Sequence, residues 1–196
     1  MMQSARSIAR VLDMTEVRTS TIALAIEERA EGAPSALVGY AATFDQPYPV
    51  DVVQESIDRR AFDRTLREQP DVFALMGHDM GRVIARTKNG TLRLAPDERG
   101  LRVEITPVDT QESRDAFSLV RSGTIDAMSF GFRVTKQQYE NRSGEVHRRI
   151  LDVDLFEVSL VAFPANPAAT LSLRDKELAA AARVIAVPFL PPRPIA

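Results

Sequence analysis

Three side chains in this 196-residue chain could together activate a hydroxyl: His78, Ser129 and Glu157. His78 follows the apolar run Val72–Met76 and Gly77, and precedes Asp79. A strand end beside a glycine lets a side chain face a cleft from a rigid support. Imidazole titrates near neutral pH, so it can take a proton from a hydroxyl and later return it. On position alone, the same residue also reads as a surface histidine at a turn. Ser129 sits in the stretch AMSFGF, a hydroxyl among bulky apolar neighbours. In a strand, Met128 and Phe130 point to the face opposite Ser129. Gly131 leaves the space beside the hydroxyl open, so a substrate backbone can approach and a backbone N–H can serve as an oxyanion donor, with the Gly131–Arg133 stretch a candidate. The plain alternative is a serine bonded to a nearby backbone group. The Gly-x-Ser-x-Gly elbow of α/β-hydrolases is absent.

Glu157 lies inside LFEVSL, where a lone carboxylate would be costly to bury. It either orients an imidazole, fixing its tautomer, or pairs with one of the arginines. Ser159 shares the strand face of Glu157 and is a reserve nucleophile. His147 is a reserve third member, although Arg148 and Arg149 beside it suggest a solvated face.

Composition removes other chemistries. With no cysteine, disulfides, thiolate metal sites and a cysteine nucleophile are excluded. With only two histidines, a histidine-based metal site is not expected. A net charge of -2 argues against a general nucleic-acid binder. No apolar run approaches the ~20 residues that span a bilayer. The N-terminus lacks the apolar core of a secretory signal, and a reducing cytoplasm fits the absence of cysteine.

The elements that must position these residues are mostly strands. Residues 1–15 read as a mobile arm. EVRTSTIALAIE and SALVGYAATFD read as two strands of a hairpin. VVQESIDRRAFDRTLREQPD reads as a helix of about three turns, capped by Ser56 or Asp58 and ended by Pro70. A short strand then runs into Gly77-His78. Residues 82–108 read as a β-meander with a turn at Asn89-Gly90. DTQESRDAFSLVRSG reads as a second helix, with Asp109 and Glu112 at capping-box spacing and Gly123 as its stop. A strand carrying Ser129, a turn at NRSGE, and one or two strands carrying Glu157 follow. The fold class expected is α+β, mainly β: an antiparallel or mixed β-barrel with inserted and flanking helices. The domain should span 16–175, followed by a flexible Ala/Pro-rich tail at 176–196.

Four stretches, in this order, resemble the tailed-bacteriophage prohead maturation protease family. They are GYAATFD; Ala61-Phe62 followed by the strand ending in GHD, with RVIA behind; AMSFGFRV; and FEVSLVAFPANPAA. The resemblance implies a fold similar to the herpesvirus assemblins. It implies a serine endopeptidase acting inside the assembling procapsid, in the host cytoplasm. Its partners would be the scaffolding protein or the scaffold-like segment of the major capsid protein, as substrates, and it would also cut itself. Ser129 would be the nucleophile, His78 the general base and Glu157 the third member. Assemblins use a second histidine there, which keeps His147 in play. Assemblins also dimerise, so a homodimer is open. No metal or cofactor is required. Rival readings are a non-catalytic virion protein, an esterase using the same pair, and a cellular β-barrel binding module.

Overall fold

The computed structural model describes residues 16–20, 24–27, 35–68 and 71–162. The expected N-terminal arm, the PANPAA stretch and the tail at 176–196 lie outside these residues.

The chain opens with β1 (Glu16–Ser20), β2 (Ala25–Glu27), β3 (Ala36–Thr43), β4 (Tyr48–Val50) and β5 (Val53–Ile57). A short helix, α1 (Asp63–Arg67), leads to β6 (Phe73–Met76), β7 (Asp79–Arg86), β8 (Leu92–Pro96) and β9 (Gly100–Ile105). Then come α2 (Gln111–Arg121) and two long strands, β10 (Ala127–Arg142) and β11 (Glu145–Val161). The fold is mainly β. Pairing among the described residues gives a seven-stranded sheet, β1-β10-β11-β5-β4 with β6 on β11 and β7 on β6, and a four-stranded sheet, β2-β3-β9-β8. No pairing among them closes either sheet into the expected barrel.

The hairpin of β10 and β11 is the spine of the larger sheet. Its two-residue turn, Ser143-Gly144, has positive φ at both positions, the turn whose twist matches paired strands. β11 is long enough to hold two parallel neighbours on one edge. Val146–Ile150 pairs with β5, and Glu157–Leu160 pairs with β6. The alternation of β10 sends Met128, Phe130 and Phe132 into the core, all essentially unexposed. Phe130 stacks on Phe132 with centroids 4.7 Å apart, and Phe62 meets Phe130 edge-on at 5.8 Å. Each such ring contributes about 2–3 kcal/mol by leaving water. The opposite face of the same stretch is left to Ser129 and Gly131.

Four expectations need correction. The three-turn helix over residues 52–71 is a strand followed by a short helix of five residues. Val53, Glu55 and Ile57 are buried while Gln54 and Ser56 are not, a period of two that belongs to a strand. Asp58 accepts from the Arg60 amide in a local turn instead of capping a long helix, and α1 has Phe62 at its N-cap, with no side-chain cap bond. The first predicted strand splits: β2 forms the expected hairpin with β3, but β1 crosses to the other sheet and pairs with β10. The meander also divides, since β7 pairs with β6 while β8 pairs with β9 in the second sheet. The second helix is capped one residue later than expected, by Thr110 Oγ1 accepting from the Ser113 amide at 3.2 Å.

Candidate active site

His78 is the second residue of a two-residue turn between β6 and β7, with Met76 paired to Asp79. Both turn residues have positive φ, 61° at Gly77 and 64° at His78. Gly77 takes that conformation freely; for His78 it costs about 1–2 kcal/mol. Two bonds to β11 hold the strained turn. The Gly77 amide donates to Leu160 O at 3.0 Å, and the His78 amide donates to Ser159 Oγ at 3.2 Å.

The His78 ring meets Glu157, with Nδ1 2.8 Å from Oε1. The other carboxylate oxygen, Oε2, accepts from Ser159 Oγ at 2.5 Å. Glu157 is therefore satisfied by a histidine and a serine, not by an arginine. A carboxylate that only accepts assigns the proton to Nδ1 and leaves Nε2 of a neutral ring as an acceptor. The imidazole is 30% exposed and the Glu157 side chain 10%, so the pair opens toward solvent through the ring.

Ser129 lies on the same sheet face. It is opposite Ser159 on β11 and opposite Thr19 on β1. Glu157 is opposite Gly131, one step further along that face. The Ser129 hydroxyl donates to the backbone carbonyl of Arg18 at 2.8 Å and is fully buried. The plain alternative from the sequence, a backbone partner, describes this resting hydroxyl. Gly131 has another purpose than expected. A Cβ built there would lie 2.4 Å from Glu157 Oε1, so the space is filled by the carboxylate. Gly131 and Phe132 are also paired to strands on both edges, which commits their amides to the ladders.

The structure brings Glu157, not His147, to His78. His147 lies ten positions earlier on β11, roughly 30 Å along the strand at its usual rise. Its ring is 3.8 Å from Glu145 and it is paired with Glu140 and Gln54.

Arg18, which holds Ser129, is itself anchored. Glu55 on β5 is fully buried and accepts from Arg18 Nε at 2.6 Å, Arg18 Nη2 at 3.0 Å, Tyr48 Oη at 2.7 Å and Arg148 Nη1 at 2.8 Å. Arg148 also reaches both oxygens of Glu16 at 2.8 Å. Burial would lower the Arg18 pKa, but Glu55 and Glu16 outweigh it and raise it further. Burial, then the Glu55 charge, pushes the Tyr48 hydroxyl well above its usual range. Sequence reading missed this network because it placed Glu55 on a helix. The usable signal was a charged residue at the inward position of an alternating β pattern.

The same ion pairs set a pH dependence. Burial raises the Glu16 carboxyl, but Arg148 and Arg18 outweigh it and hold it below the ordinary range. Burial is likewise outweighed at Asp154, by Arg133 and Arg64. Depressed carboxyls contribute stability that is present above their unfolded pKa and lost as pH falls through the folded value. The urea midpoint should therefore hold from neutral pH to about pH 4 and fall below it. A midpoint unchanged well below that pH would show that these pairs contribute nothing.

Among the described residues, no group of three or more His, Asp or Glu side chains is placed to hold a metal ion, and no helix is long and apolar enough to cross a membrane. Residues 20–183 match the family described as caudovirus prohead serine protease. The chain belongs to that family. His78, Ser129 and Glu157 all fall inside the matched span. A relative, the prohead protease of Escherichia phage T5, is 30% identical over 137 residues, covering 69% of this chain. The match spans about 60% of the length of that relative. The fold is similar to that of the bacteriophage T4 capsid assembly protease, with a TM-score of 0.52 at 8% identity. That likeness covers 77% of this chain and 98% of the T4 chain.

Proposed function

We propose that this protein is a serine endopeptidase that matures a phage procapsid, with Ser129 as nucleophile, His78 as general base and Glu157 as the third member. The observation that carries the reading is the His78–Glu157 hydrogen bond on the sheet face that also holds Ser129. The Ser129 hydroxyl leaves the Arg18 carbonyl by rotation about χ1 and gives its proton to His78 Nε2 as Oγ attacks a peptide carbonyl. The imidazolium is stabilised by Glu157. It then protonates the departing amine as the C–N bond breaks, leaving an acyl-enzyme. Water, deprotonated by His78, releases the acid and restores the serine.

The substrates are the scaffolding protein or the scaffold-like segment of the major capsid protein, cut inside the assembling shell, and the enzyme's own chain. We read the two sheets, which share one core, as parts of an assemblin-like barrel. The test is co-expression with the capsid and scaffolding proteins. Wild type should process them and itself. Ser129→Ala and His78→Ala should each reduce turnover by a factor on the order of 10⁴ or more. Glu157→Gln should cost on the order of 10⁴, because an amide cannot hold the same tautomer in place. Normal processing by Ser129→Ala or His78→Ala would sink the assignment.

A further inference from the structure

We propose that Ser159 is a positioning residue of this site, holding His78 and Glu157 in register through one hydroxyl. The inference rests on the reading of Glu157 as the third member. Ser159 is fully buried, and its Oγ is engaged in both senses. It accepts the His78 amide at 3.2 Å and donates to Glu157 Oε2 at 2.5 Å. The ring of His78 closes the circuit on Oε1 at 2.8 Å. Backbone, hydroxyl, carboxylate and imidazole thus form one loop of hydrogen bonds across two elements.

Each bond removes a different freedom. The amide bond pins a turn residue whose positive φ is unfavourable for a side chain. The bond to Oε2 stops the carboxylate from rotating about its last torsion, which is broad when unconstrained. Bonds in such a chain polarise one another, so the donor to Oε2 is strengthened by the amide behind it. Alanine at this position would leave a buried carboxylate oxygen without its hydroxyl donor and a turn amide without its acceptor. The same bonding argues against Ser159 as nucleophile, since its proton is committed to a carboxylate and not to an imidazole. The hydroxyl across the ladder, Ser129, donates only to a backbone carbonyl and can be redirected.

The test uses the purified full chain, with p-nitrophenyl acetate as the turnover probe and a fluorophosphonate as the covalent probe. Ser159→Ala should lower kcat by a factor on the order of 10² with KM unchanged. It should also shift or broaden the downfield proton resonance of His78 Nδ1–H. Ser159→Cys keeps the volume but is a weak donor and acceptor. It should show the same loss at unchanged melting temperature, which covers the case of an alanine variant that does not fold. The fluorophosphonate adduct should map to Ser129 in wild type and in both variants. Unchanged kcat, or a loss carried by KM with the resonance unmoved, would overturn the inference. So would an adduct on Ser159. If Glu157→Gln retains full kcat, the reading of Glu157 fails instead, whatever the Ser159 variants do.

Discussion

Replacing Gly131 with alanine is expected to lower turnover by a factor on the order of 10²–10³, approaching the loss expected for Glu157→Gln. The added Cβ would lie 2.4 Å from Glu157 Oε1 and 3.2 Å from its Cδ and Cγ. Ordinary non-bonded contact begins near roughly 3.5 Å, so the carboxylate has to move. Gly131 is on an interior strand paired at both edges, which leaves the backbone little room to yield. The side chain of Glu157 therefore swings away. In doing so it gives up its bonds to His78 Nδ1 and Ser159 Oγ. His78 then loses the acceptor that fixes its tautomer. Single-turnover kinetics on a chosen ester, with melting temperature as the fold control, would read this. A fully active, normally folded Gly131→Ala variant would mean that Glu157 contributes nothing to the reaction.

Glu55→Gln should be the most destabilising conservative change away from the site. The carboxylate is unexposed and takes four donors, two from Arg18, one from Tyr48 and one from Arg148. The amide loses the charge and turns one acceptor into a donor facing those groups. Removing one partner of a buried ion pair costs about 3–5 kcal/mol, because the other charge stays buried without compensation. Thermal melting should fall by on the order of 10 °C for a chain of this size. Activity should fall with it even below the melting temperature. Arg18 sits on β1, and its carbonyl is the partner of the Ser129 hydroxyl, so loosening β1 disturbs the proposed nucleophile. Melting within a degree or two of wild type would show that Arg18 and Arg148 find other acceptors.

The residues of the candidate site stood out in the sequence because their local patterns are strong. An apolar run ending at Gly77 marked a strand end for His78. A serine and a glutamate, each inside an apolar strand, marked positions that need an explanation. The turn at Ser143-Gly144 made a hairpin of the strands that carry them. The region around Glu55 was not legible, since charged and polar residues at 54–60 satisfy a helical pattern as readily as a strand. Only the pairing of Val53–Ile57 with β11 decides between them, and that pairing joins segments about ninety positions apart.

Sequence alone determined which residue types were available, which of them share a strand face, and membership of a protease family through motifs in a fixed order. Tertiary structure decided the partners. His78 and Glu157 are separated by 79 positions. A period of two says which way a side chain points but not which strand lies beside it. The parallel docking of β6 on β11 brings Glu157, not His147, beside His78 and gives Ser159 two bonds to make. The same register turns Gly131 from an opening for substrate into the space a carboxylate occupies.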